Sequence, residues 1–303
     1  MPNDSPPESA GPVVPDPVVP DPNAQALQLV EARARLNDID DQIHTLLMER
    51  AAVVKTRVGT SGKSSPLRPG RQAAVIRRLL GKHGGFLPAK NLVCLWLELM
   101  AGGSAIQAEL VVAVCDTDPQ HGYTQIAREY FGSLVRVHAH RSPAQALAEV
   151  SAGKAAVAVL PLPTEGESPR EAWWTSLLQK DDPRIHVIAR LPFWRERPMG
   201  ATDVKALVVG RTPPDASGED RSLVGLECAA DISRARLTGL LESAGLKPVS
   251  IVLRRDAGAP VAQALIEVDG LIDDAEPRLS RLDPALRRPV VLGGYAIGVG
   301  GQP

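Results

Sequence analysis

Neither sign of charge dominates this chain: 34 Lys and Arg face 35 Asp and Glu, a formal net charge of −1. Binding nucleic acid takes a clustered surplus of cations that displaces counterions from phosphates, so no such partner is expected. No apolar run approaches the roughly 18 residues that a membrane-spanning helix needs. The first residues are rich in proline and acid, unlike the basic-then-apolar layout of a secretory leader. Cysteine is scarce too. Cys94, Cys115 and Cys228 are odd in number, far apart and set in apolar stretches. They predict buried, reduced thiols in a cytoplasmic protein, with neither a disulfide framework nor a metal site. Membrane, secreted and nucleic-acid classes drop out.

What is present is enough for several cores: 303 residues, 44% of them hydrophobic, suit two or three domains better than one. Residues 1–22 hold eight prolines and the repeat Val13-Val14-Pro15-Asp16-Pro17, Val18-Val19-Pro20-Asp21-Pro22. Proline fixes φ and removes a donor, so this segment predicts an extended, disordered tail. Residues 24–58 contain no Pro or Gly, and Leu27, Val30, Leu36, Ile39, Ile43, Leu46, Leu47, Val53 and Val54 recur at three- and four-residue steps. With Asn23 as N-cap and Gly59 as stop, they predict a helix about 50 Å long at ~1.5 Å per residue. That outruns a small core, so a partner chain is expected to cover it. Arg71–Lys82 and Pro88–Gln107 read as two further helices, which makes residues 23–108 an all-helical block.

Beyond Glu109 the period changes. Leu110–Cys115, Leu134–His138 and Ala155–Leu160 read as buried strands separated by helices Thr124–Phe131 and Ser142–Ser151, the order of a parallel α/β sheet. Ile185–Leu191 and Val204–Val209 add possible strands, and Thr212–Arg221 reads as loop or linker. The last block reads as strand Leu223–Cys228, helix Ile232–Ala244 opened by Asp231 and closed by Gly245, strands Pro248–Leu253 and Ala262–Val268, helix Asp274–Leu286 and strand Pro289–Ala296. That is a β-α-β-β-α-β, ferredoxin-like run.

The helical block carries Arg33-x5-Ile39-Asp40-x2-Ile43-x2-Leu46-Leu47-x2-Arg50, then Val58-Gly59…Lys63, Arg68-Pro69-Gly70-Arg71-Gln72 and finally Gln107. In residue type, helix order and separation this resembles the all-helical chorismate mutases, in which three helices form an intertwined dimer that rearranges chorismate to prephenate. The resemblance implies carboxylate binding by Arg33, Arg50 and Arg71. It implies donation to the ether oxygen by Lys63 and Gln107, and contact with the substrate hydroxyl by Gln72. Three positions depart from the family pattern: one extra residue separates Gly59 from Lys63, Gln72 stands where Glu is usual, and Arg68 where an acid is common.

The chemistry is consistent with those residue types. Chorismate is a dianion, and guanidinium clamps a carboxylate bidentately. A unimolecular Claisen-type shift needs no nucleophile, metal or cofactor, only donors fixed where negative charge develops and a compact bound conformer. Arg33 and Arg50 are 17 residues apart, hence about 26 Å along one helix. One small ligand cannot touch both, so Arg33 is expected to reach the site of a partner subunit.

The rest of the chain resembles the bifunctional chorismate mutase–prephenate dehydratases, whose last module is an ACT domain. Leu265-Ile266-Glu267-Val268-Asp269-Gly270 and Leu292-Gly293-Gly294-Tyr295 are similar to that domain's closing strands. The dehydratase motifs are altered: Pro161-Leu162-Pro163-Thr164-Glu165 stands for Pro-Ile-Glu-Asn-Ser, Val204-Lys205-Ala206 for Thr-Arg-Phe, and Cys115-Asp116-Thr117-Asp118-Pro119 for Gly-Pro-x-Gly-Thr. The phenylalanine-binding elements become Ala235-Arg236-Leu237 and Val252-Leu253-Arg254-Arg255. His121 and Glu165 read as surface-loop residues, with a catalytic role as the alternative.

The expected organisation is therefore multidomain: a tail (1–22), an all-α mutase-like domain (23–108), a truncated α/β dehydratase-like domain (109–215) and an α+β ACT-like domain (216–303). The expected activity is that of a homodimeric, cytoplasmic chorismate mutase with shared active sites, acting on chorismate without cofactor, metal, nucleic acid or membrane. A non-catalytic metabolite-binding protein on the same dimer module, and a working mutase–dehydratase, are the alternatives.

Overall fold

A computed structural model describes residues 22–58, 67–179, 182–197 and 199–300. The proline-rich tail (1–21), Gly59 and Lys63 lie outside the described residues. The chain divides into two compact units, Met1–Val53 and Val54–Pro303. In the first, the described residues belong to helix α1 (Pro22–Val58), which runs on into the second.

The second unit is built around one nine-stranded sheet. Its elements, in chain order, are α2 (Pro69–Leu80), α3 (Ala89–Gln107), β1 (Val111–Cys115), α4 (Gly122–Phe131), β2 (Arg136–His140), α5 (Pro143–Ser151) and β3 (Val157–Pro161). A 3₁₀ turn (Trp173–Gln179) leads to β4 (His186–Leu191), β5 (Ala206–Gly210), β6 (Asp220–Ala229), α6 (Arg234–Ser243), β7 (Pro248–Arg254), β8 (Val261–Asp269) and β9 (Arg287–Ala296). Sheet order is β2-β1-β3-β5-β4-β9-β6-β8-β7.

Strands β1, β2 and β3 pair in parallel as the βαβ reading requires, but β5 runs antiparallel between β3 and β4, so the sheet is mixed. The strands expected in two separate domains form one sheet. They join where β4 meets β9 in parallel, at Val187 and Gly293. A Cβ on Gly293 would lie 2.2 Å from the Val187 carbonyl oxygen, and its φ is +127°. Glycine is what lets the two halves close up.

Period-2 alternation sets the layers. Val112, Val114, Val157, Val159 and Val208 face Ala73, Ile76, Val93, Leu97, Ile126 and Tyr130 of α2, α3 and α4. Ala113, Cys115, Ala158, Leu160 and Val209 face Ala146, Leu147 and Val150 of α5 and the buried Trp173 and Trp174. Strands β6–β9 form the order fourth–first–third–second, all antiparallel, with α6 packed against them through Leu237 and Leu241.

Several local expectations are corrected. Asp274–Leu286 is not a helix. Only Leu279–Arg281 forms a 3₁₀ turn, because Pro277 and Pro284 lack donors and aspartates capture the backbone instead: Ala275 N donates to Asp273 (2.9 Å), Ala285 N to Asp283 (2.8 Å) and Val291 N to Asp274 (3.1 Å). Strand β2 starts two residues later than expected, after a turn at Gly132 that leaves Leu134 exposed. Ser233, not Asp231, caps α6 by accepting from Arg236 N at 3.1 Å.

The stretch read as a linker is a docking loop. The Asp215 carboxylate accepts from Gly70 N (2.9 Å) and Arg71 N (3.0 Å) and pairs with Arg68, capping the start of α2. Arg77 donates to Ser217 Oγ (2.8 Å) and to the Glu219 and Ile297 carbonyls. An N-cap carboxylate is worth about 1–2 kcal/mol. Asp215→Ala should lower unfolding free energy by that amount in urea titration; an unchanged midpoint would mean the first turn of α2 does without it.

Candidate functional site

Arg33 lies on the exposed surface of α1, and Arg50 is half-buried further along the same helix. Between them Leu36, Ile39, Ile43 and Leu46 are 59, 37, 49 and 63% exposed. Arg71 is exposed in the first turn of α2. Gln72 beside it is half-buried, and its Oε1 is buried with no hydrogen-bond partner. Gln107 ends α3, exposed, with its amide donating to Gly103 O at 3.4 Å. Lys63 lies outside the described residues. Among the described residues no hydrogen bond or ion pair links Arg71, Gln72 and Gln107 to one another.

Glu165, Arg254 and Arg255 hold neighbouring segments together. Glu165 accepts from Arg234 and from Leu253 N (3.3 Å), fastening the loop after β3 to α6 and β7. Arg254 pairs with Asp256 (2.7 Å), and Arg255 donates to the Ala230 and Ile232 carbonyls (2.8 and 2.7 Å). His121 is different. It is exposed, has a positive φ of 56°, and places Nδ1 3.2 Å from the buried Asp116 carboxylate, which also accepts from Thr124. His138 and His140 on β2 both face Glu149 of α5, at 2.9 and 3.5 Å.

Cys115 and Cys228 are buried, and burial first of all pushes the Cys115 thiol up to about 11. Cys94 is exposed, contrary to the sequence reading. The buried stripe of α3 is Val93, Leu97, Met100 and Ser104, and Cys94 lies just off it. Among the described residues no group of three or more His, Cys, Asp or Glu could hold a metal, and no helix is long and apolar enough to cross a membrane.

A dense polar cluster around Glu267 was not anticipated. Glu267, in the interior of β8, is 6% exposed. It accepts from Tyr295 Oη, from Ser250 Oγ (2.7 Å) and from Arg221 Nη1 (2.9 Å), with Arg190 Nη1 at 3.3 Å. Arg190 also donates to Tyr295 Oη (2.9 Å), and its guanidinium lies 5.7 Å from that ring's centre. Burial alone would raise the Glu267 carboxyl. The hydrogen bonds from Tyr295, Ser250 and Arg221, with the charge of Arg190, outweigh it and hold the carboxyl below the usual range. The available sequence signal was a lone acid inside the apolar run Leu265-Ile266-Glu267-Val268.

No family model matches the chain. It is similar to a bifunctional chorismate mutase/prephenate dehydratase of Pseudomonas aeruginosa, 28% identical over 162 residues that are 51% of this chain and 44% of that protein. A protein of the same description from Neisseria gonorrhoeae is 32% identical over 105 residues, 34% of this chain and 28% of the other. The chain thus matches less than half the length of either relative. Among solved structures, GqqA, described as a novel type of quorum quenching acylase, aligns at TM-score 0.47 and 17% identity over 62% of this chain and 96% of its own. Prephenate dehydratase from Streptococcus mutans aligns at 0.44 and 13% identity over 62% and 98%.

Proposed function

We propose that this protein is a homodimeric chorismate mutase of aromatic amino-acid biosynthesis, rearranging chorismate to prephenate. Sequence similarity to two bifunctional chorismate mutase/prephenate dehydratases supports that metabolic setting. The observation that carries the mutase reading is on α1: Arg33 and Arg50, about 26 Å apart, flank apolar residues that are exposed in the single chain. A second copy would bury those residues and bring its own Arg33 to the pocket of the first.

In this reading Arg33, Arg50 and Arg71 hold the two carboxylates in the reactive conformer, while Lys63 and Gln107 donate to the ether oxygen as it gains negative charge. The buried, unpartnered Gln72 Oε1 is an acceptor that a substrate hydroxyl would satisfy. Residues 23–108 form the mutase domain of this proposal. Residues 109–215 and 216–303 form dehydratase-like and ACT-like parts that retain structural or regulatory roles.

Dehydratase activity is not part of the proposal. Val204-Lys205-Ala206 lacks the hydroxyl and guanidinium of Thr-Arg-Phe, and β1–β5 supply one lobe where the reaction needs a cleft between two. The test is incubation of the purified protein with chorismate. Prephenate should accumulate without phenylpyruvate. No loss of chorismate would overturn the mutase assignment and leave the metabolite-binding reading; enzymatic release of phenylpyruvate would overturn the view of residues 109–215.

A further inference from the structure

Helix α2 begins without an acid of its own. Its first turn is Pro69-Gly70-Arg71-Gln72, and Arg68 at the cap position makes no side-chain capping hydrogen bond. The first N–H groups of a helix have no acceptor within it and need one from elsewhere. Here each is accounted for. Pro69 has none, the Asp215 carboxylate takes those of Gly70 and Arg71 on one oxygen each, and Gln72 N reaches the Arg68 carbonyl at 3.0 Å.

Asp215 is itself held in place, in the loop between β5 and β6. Ser217 N and Gly218 N donate to the buried Asp220 carboxylate where β6 starts, at 2.9 and 3.1 Å. Ile297 N donates to the Glu219 carbonyl at 2.9 Å, which ties the loop to the end of β9. Arg77, further along α2, grips the same loop through Ser217 and Glu219. At Gly70 the approach is so close that a Cβ would lie 1.9 Å from the Asp215 carbonyl oxygen, so only glycine lets loop and helix meet. The turn that carries Arg71 and the unpartnered Gln72 Oε1 is thus fixed to the sheet through its backbone, while the Arg71 side chain stays exposed. A cap that serves stability alone is ordinarily local, a Ser, Thr, Asp or Asn at the cap position. This one comes from 145 residues away and sets where Arg71 points.

We propose that Asp215 is a positioning residue for Arg71 and, through the same turn, for Gln72. The inference rests on the mutase reading of those two residues. Asp215 touches no substrate. It fixes the backbone from which the guanidinium and the amide project, and a displacement of about 1 Å at such groups can cost on the order of 100-fold in rate. Without the carboxylate the two N–H groups turn to water and the first turn frays.

Steady-state kinetics of the full chain with chorismate, well below the unfolding midpoint of each variant, test this. Asp215→Ala should raise KM by about tenfold or more, the worth of a charged hydrogen bond lost to misplacement, and leave kcat within roughly threefold. A merely structural role would lower only the folded fraction, so kcat would fall at constant KM. Added to Arg71→Ala, the same substitution should raise KM by less than about threefold, since the guanidinium it would misplace is gone. Asp215→Asn keeps the shape and one acceptor oxygen, and serves should the alanine variant not fold; its KM should rise by roughly threefold or more. An active wild type whose KM neither substitution changes would overturn this inference alone. So would a fall in kcat at constant KM, or an equal rise in KM with and without Arg71. A wild type that leaves chorismate untouched would overturn the proposed function, and this inference with it.

Discussion

Homodimers carrying Arg33→Ala and homodimers carrying Arg50→Ala should each lose most chorismate turnover, whereas a mixed dimer of the two should recover about half of it. Removing one partner of a hydrogen-bonded ion pair costs about 2–5 kcal/mol, or roughly 30- to 5,000-fold in rate. The recovery follows from geometry. About 26 Å of helix separates the two residues, so in the proposed dimer a shared pocket would take Arg33 from one chain and Arg50 from the other. In the mixed dimer one pocket then carries both substitutions and the other carries neither. If both arginines served one pocket from the same chain, every pocket of the mixed dimer would be damaged. The measurement is kcat/KM for the two parents and for purified heterodimer, and a heterodimer no better than its parents would remove Arg33 from the partner's site.

Glu267→Ala should be the most destabilising single change in the sheet unit, by about 3–5 kcal/mol. It removes the carboxylate that Arg190, Arg221, Tyr295 and Ser250 share, leaving two partly buried cations side by side. Tyr295→Phe removes one donor only and should cost about 1 kcal/mol. The pH dependence has a definite sign. The Glu267 carboxyl is held below its usual range in the folded state. Its contribution is therefore present above the unfolded pKa of about 4.3 and is lost as pH falls through the lower folded value. Glu267→Gln should abolish that acid-side segment while keeping most of the packing. Urea unfolding from pH 7 to 3 for wild type and the variants measures both effects. A Glu267→Ala loss below about 1 kcal/mol would show that water solvates the arginines as well as the carboxylate does.

Much of the element order was legible in the chain. Helix α5 announces itself through Ser142 as cap and Pro143 in the first turn, and β1 through five successive small apolar residues, Val111 to Cys115. These signals are local: a period, a missing donor, a residue able to cap. Where local signals compete, the reading failed. Leu279, Leu282 and Leu286 suggest a helical period, yet Pro277, Pro284 and the aspartates between them hold the chain in turns. Cys94 reads as apolar, but its exposure depends on which stripe of α3 meets the sheet. The candidate mutase residues came from the resemblance to a family, and helix spacing added the distance that separates Arg33 from Arg50.

The sequence by itself determined the long α1 and its arginine spacing, the β-α-β-α-β order from Val111 to Pro161, and most strand positions near the C-terminus. Each of these depends on residues a few positions apart. Tertiary structure alone decided that β5 runs antiparallel within the sheet, that β4 and β9 join its halves at Gly293, and that Asp215 caps a helix 145 residues away. It alone brought Arg190, Arg221, Glu267 and Tyr295 together, with 105 residues between the first and the last. Alternation along a strand records which faces are buried but not which strand lies alongside or in which direction. A charge that will be buried looks like any other charge until the fold supplies its partners.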